Sequence, residues 1–165
     1  MKPEIKQREK IILVGMDFFG DPFGKECGRH DQNAIGVLWQ RFNGYYEEHK
    51  NSIKHQKSEA GYELWVDFKS EKSTKNEYIF VGVEVTKIDD LPLELVAKII
   101  PEAKYAVFTL KGDEFKSDWS SNIYKEWLPK AGLTPLNFMI EYYDSKRFKG
   151  MNDPESELDI YVAIK

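Results

Sequence analysis

The 165-residue chain has a single cysteine, Cys27, so it cannot close an internal disulfide. A reducing cytoplasm is the default expectation for such a chain. It has no run of about 20 apolar residues, which argues against a membrane-spanning helix. Its charged start, "MKPEIKQREK", lacks the form of a secretory leader. There is no excess of positive charge: the formal net charge is −4, which speaks against a protein that binds a phosphate backbone. Charges of both signs are mixed along the chain, with no block that would form an interaction tail. What the sequence does have is rings, 4 Trp, 9 Tyr and 10 Phe, enough for a packed core and a ring-lined pocket besides.

Hydrophobic patterning predicts the same order of elements twice. "KIILVGMDFFG" (10–20) reads as a strand, and a long Gly/Pro-rich loop follows, expected to form a lid or rim. "AIGVLWQRFNGYYEEHK" has helical spacing, with Ile35, Leu38, Trp39 and Phe42 on one face and Asp31 or Asn33 as its cap. "GYELWVDFKSE" and "NEYIFVGVEVTK" then form an antiparallel hairpin across the polar stretch 70–77. After a linker, "IDDLPLELVAKIIPEA", the pattern returns. "KYAVFTLKGD" is a strand, and "DWSSNIYKEWLPKAGL" is a helix capped by Ser120 or Ser121. "LNFMIEYYDS" and "ELDIYVAIK" are two more strands. The predicted fold class is α+β: duplicated βαββ units with pseudo-twofold symmetry, mainly antiparallel sheets and a ligand cleft between the halves. One domain is expected over 1–165, its first half at about 10–87 and its second at about 96–165.

Period-two alternation sorts each strand into two faces. If the more aliphatic face of every strand packs on the helices, Ile79, Val81, Leu158, Ile160, Tyr62, Leu64, Phe138 and Ile140 point helixward. The opposite face then carries Trp65, Phe80, Met139, Tyr143 and Tyr161 around Glu141, with Gly82 leaving room for a flat molecule. A strand glutamate is ordinarily solvated, and rings on an open sheet face are common. The coincidence of rings from four strands favours a pocket. Aromatic walls with one carboxylate suit a flat, apolar, cationic ligand, each ring adding roughly 0.5–2 kcal/mol of cation–π attraction. A carboxyl raised in pKa by burial also suits a general acid or base.

Four stretches, "IPEAKYAVFTLKGD", "IYKEWLPKAG", "FMIEYYD" and "SELDIYVAIK", resemble the GyrI-like, or AraC-type, effector-binding domain; "IGVLWQRF" and "GVEV" extend the likeness over about residues 4–165. The resemblance implies a small-molecule binding protein of the multidrug-binding, transcription-regulation-related kind. It maps the family's pocket glutamate onto Glu141 and its final-strand aromatic onto Tyr161, whereas Trp65, Phe80 and Tyr143 rest on face alternation. Met139 shares their strand face, and Trp119, ahead of the second helix, is expected to close over the cleft. Some free-standing members open cyclopropane rings of DNA alkylators. On that alternative Glu141 is the general base, with Tyr143 or Tyr161 positioning substrate. A second alternative is a gyrase-inhibitory interaction protein, leaving gyrase or a regulator open as a protein partner. The module takes up the whole sequence, so no direct DNA binding is expected, and no membrane or cofactor either.

No metal site is expected. "CGRH" (Cys27, His30) offers two ligands where a structural zinc needs four. No P-loop, G-x-S-x-G or H-E-x-x-H occurs.

Overall fold

A computed structural model describes residues 1–23, 33–66 and 76–165. The expectations for Cys27, His30, Asp31, most of the 20–33 loop and most of the 70–77 loop fall outside the described residues. The elements run β1 (Glu4–Arg8), β2 (Ile11–Gly20), α1 (Ala34–His49), β3 (Gln56–Val66), β4 (Glu77–Val85), β5 (Val96–Ile100), β6 (Ala103–Lys111), α2 (Trp119–Asn122), a π-helical turn (Ile123–Trp127), α3 (Leu128–Lys130), β7 (Pro135–Tyr143) and β8 (Glu157–Ile164). The fold is α+β and duplicated, and its strand pairings are antiparallel.

The strands form one eight-stranded sheet, in the order β1-β6-β8-β7-β3-β4-β2-β5. The two halves therefore join edge to edge, β3 against β7. Two strands come from segments given no strand in the sequence reading, the charged start and the linker. Residues 4–8 and 96–100 are short, and their charges disguise the alternation. Each pairs with the first long strand of the opposite half: β1 lies on β6, and β5 lies on β2. This makes the strand order symmetric about the β3–β7 seam.

Asn33 caps α1, its side-chain oxygen accepting from the Gly36 amide at 2.7 Å. Leu38 and Phe42 are the fully buried residues of that helix. The second helix starts at Asp118, not at Ser120 or Ser121, with the Asp118 carboxylate accepting from Ser121 N. It passes through the π-helical turn, burying Ile123 and Leu128, and ends past Pro129 at Gly132, which takes a φ of +67°. Both helices pack on one face of the sheet, against Trp65, Val81, Ile160 and Val162 among others.

The other face is not open. Tyr62, Leu64, Phe80, Tyr105, Ile140 and Tyr161 form a second buried cluster there. The sheet curls around this cluster until Arg8 on β1 reaches Glu84 on β4, five places along the strand order. Tyr62 and Lys57 also bond Glu84, so the carboxylate is well partnered.

Candidate functional site

In an antiparallel sheet, directly opposed residues share a face, so register decides what can meet. Phe108, Ile160, Glu141, Glu63, Val81 and Met16 form one row across six strands. Two glutamates thus stand opposite each other at the central seam, in a row otherwise apolar. Met139 and Trp65 are opposed in the next row on this face, and Tyr143 and Gly61 in the row on its other side. This is the helix face.

The face assignment for β3 and β7 is thereby corrected. Trp65, Met139, Glu141 and Tyr143 point toward the helices, while Tyr62, Leu64, Phe138 and Ile140 point away. Phe80 and Tyr161 lie in a different row, with Leu64 and Ile140 between them, on the opposite face from Glu141. Neither can share a pocket with Glu141, and Tyr161 cannot position a substrate for it. The rule that failed was that the more aliphatic face meets the helices. Both faces of this sheet are buried, so apolarity does not tell them apart. Gly82 has a backbone reason as well: a Cβ there would stand 2.3 Å from the Val14 carbonyl oxygen, so the glycine admits β2, not a ligand. Trp119 packs at the margin of the helix-side core.

The glutamates are 3% (Glu63) and 8% (Glu141) exposed, and aromatic donors reach them. Trp39 Nε1 donates to Glu63 Oε2 at 2.6 Å, and Trp65 Nε1 donates to Glu63 Oε1 at 2.8 Å. The Tyr143 hydroxyl lies 2.8 Å from Glu141 Oε2 and 3.4 Å from Glu63 Oε2. Rings brace these donors. Trp39 meets Tyr143 edge-on at 5.3 Å, Phe148 meets Tyr143 at 4.8 Å, and Phe23 stacks on Trp65 at 6.4 Å. Gly61 seats the indole of Trp39, because a Cβ at that position would lie 3.0 Å from the ring.

Burial pushes Glu63 up from the ordinary carboxyl range, against the pull of its Trp39, Trp65 and Tyr143 bonds. Glu141 is pushed well above it, first by burial and then by the charge of Glu63, with Tyr143 and Trp65 opposing. The Tyr143 hydroxyl is raised well above its usual value by burial and by both carboxylates. The site is therefore acidic, dry and aromatic, with its donors committed to the carboxyls.

Residues 4–164 match the profile of a family described as Cass2, integron-associated effector-binding protein. The chain belongs to that family. Among curated relatives it is 34% identical over 167 residues to the transcriptional regulator BrlR of Pseudomonas aeruginosa, covering 99% of this chain and 56% of BrlR. The chain thus spans only about half the length of that regulator. Among solved structures, SAV2435 bound to tetraphenylphosphonium superposes with a TM-score of 0.71 at 15% identity, covering 100% of this chain and 94% of the other. The EcmrR C-terminal domain gives 0.69 at 15% identity, covering 99% and 97%. These likenesses carry the fold. No helix among the described residues is long and apolar enough to cross a membrane.

Sequence reasoning missed Trp39, Glu63 and Phe148. Helical spacing places Trp39 on the apolar face of α1 with Leu38 and Phe42, where an indole reads as core. Glu63 carried a signal: "YELWVD" and "IEYYD" each hold a glutamate in the strand that follows the helix of their half.

Proposed function

We propose that this effector-binding protein takes lipophilic aromatic cations on the helix face of its central seam. Glu63 and Glu141 supply the charge, Trp39, Trp65, Tyr143 and Phe148 supply the walls, and Met139 and Trp119 border them. The observation that carries this reading is the buried pair of carboxyls held, among the described residues, by aromatic N–H and O–H donors. An unpaired buried carboxylate costs several kcal/mol, which a bound cation relieves. Rings around it add roughly 0.5–2 kcal/mol each by cation–π contact. A structural relative bound to tetraphenylphosphonium makes that compound the natural first probe.

The test is fluorescence titration with tetraphenylphosphonium, Trp39 and Trp65 serving as reporters. Saturable quenching is expected, weakened about tenfold or more in Glu63→Gln and in Trp39→Ala, while Tyr161→Phe on the opposite face binds as wild type. If both seam variants bind as tightly as wild type, or Tyr161→Phe alone loses binding, the site lies elsewhere.

A further inference from the structure

The two seam carboxyls are not equivalent, although register makes them partners. Directly opposed side chains on adjacent antiparallel strands have Cβ atoms about 4.5–5.5 Å apart, too close for two buried negative charges to coexist cheaply. Their donors are unevenly shared. Glu63 takes an indole N–H on each oxygen, from Trp39 and Trp65. Glu141 takes the Tyr143 hydroxyl at 2.8 Å, whose single proton also faces Glu63 at 3.4 Å, and it has only a share of the Trp65 indole that donates to Glu63. Glu63 is thus built to stand as the anion, and Glu141 to hold the proton.

Among the described residues, the surroundings supply no competing base or cation. From β8 and β4 the row neighbours are Ile160 and Val81. From α1 the group at the pair is the Trp39 indole, while Arg41, Glu47, Glu48 and His49 on that helix are exposed. The second helix buries Ile123 and Leu128 on this side, half-buries Tyr124, and leaves Lys125, Glu126 and Lys130 exposed. Among the described residues, Tyr143 of β7 completes the titratable groups bearing on the pair.

Resting on the binding reading above, we propose that the seam is a charge-adjusting receptor that accepts both monocations and dications: it carries one negative charge when empty, binds a lipophilic monocation as it stands, and binds an aromatic dication by releasing the Glu141 proton to solvent. The arithmetic of charge closes in both cases. Glu63 alone neutralises one positive centre. A second positive centre is matched only when the Glu141 O–H bond breaks, leaving a second carboxylate and one proton in the buffer. Proton release makes the dication's affinity rise with pH, up to tenfold per unit while Glu141 is protonated in the free protein, whereas the monocation's affinity stays flat over the same range.

The experiment has a ligand-free arm and a binding arm. In the free full chain, side-chain carboxyl carbon NMR at neutral pH is expected to show one protonated glutamate, absent in Glu141→Gln and still present in Trp39→Phe. Calorimetry in buffers of different ionisation enthalpy then counts protons, using tetraphenylphosphonium as monocation and benzyl viologen as dication. Neither probe carries a proton of its own. No net proton is expected for the first and one for the second, and that proton is lost in Glu141→Gln. Two ionised carboxyls in the free protein overturn the proposal whatever binds. Binding of both cations with equal proton counts overturns it while leaving the binding reading intact. A failure of both cations to bind, with the protonated glutamate present, overturns the binding reading and the receptor with it.

Discussion

Glu141 holds its proton at a cost that depends on pH. Its carboxyl is raised well above the ordinary range by burial and by Glu63, so between that range and its raised value the folded protein binds more protons than the unfolded chain. Stability therefore falls as pH rises through this window, because the unfolded state is free to ionise and the folded one is not. Glu141→Gln keeps the shape and removes the titration. Melting followed by circular dichroism is expected to show a higher Tm for the variant at neutral pH and a flatter pH profile above the ordinary carboxyl range, each kcal/mol appearing as roughly 2–4 °C. A variant that melts lower at every pH would mean that Glu141 is stabilising as an anion. On the proposed binding role, so polar a pair in a buried row gives up stability for charge kept in reserve.

At the scale of elements, the β2–β4 pairing has no slack. Gly15 and Gly82 are directly opposed, and a Cβ on Gly15 would stand 1.9 Å from the Val81 carbonyl oxygen. Since that atom is backbone, it cannot swing aside. Gly82→Ala is expected to lose several kcal/mol in urea unfolding, or to fail to fold. Gly44 is the contrast, lying inside α1 with nothing near its would-be Cβ. Gly44→Ala is expected to stabilise by roughly 0.5–1 kcal/mol. Equal effects at the two positions would remove the close-approach argument. Elements with strong periodicity were legible from the chain: α1 with its Asn33 cap, and strands β2, β3, β4, β6, β7 and β8. The strands at 4–8 and 96–100 were not. Five-residue edge strands with charged positions show little alternation, and only a partner strand makes them strands at all.

For the whole molecule, curling is fastened by a few long contacts. Arg8 reaches Glu84 at 3.4 Å and lies 5.5 Å from the centre of the Tyr161 ring. Glu84 keeps Lys57 and Tyr62 when Arg8 is removed, so Arg8→Ala is expected to cost roughly 1–3 kcal/mol, less than orphaning a buried charge outright. The loss should be local: hydrogen exchange is expected to quicken in β1 (Glu4–Arg8) and stay slow in β3 and β7. Uniform quickening would mean that the strap holds the whole sheet.

The amino-acid sequence by itself determined the duplication, the α+β class and the strand that bears Glu141, because period and element order are local properties of the chain. It also placed Trp65, Met139 and Tyr143 on one strand face with Glu141. Only the tertiary structure decided which faces of different strands coincide. Alternation is blind to rotation by one residue, and here both faces are apolar enough to be buried. Register across the seam set Glu63 opposite Glu141, brought Trp39 down from α1 onto Gly61, and sent Phe80 and Tyr161 to the far side. A single charge in a strand thus became one of a pair, because two halves of the chain meet edge to edge.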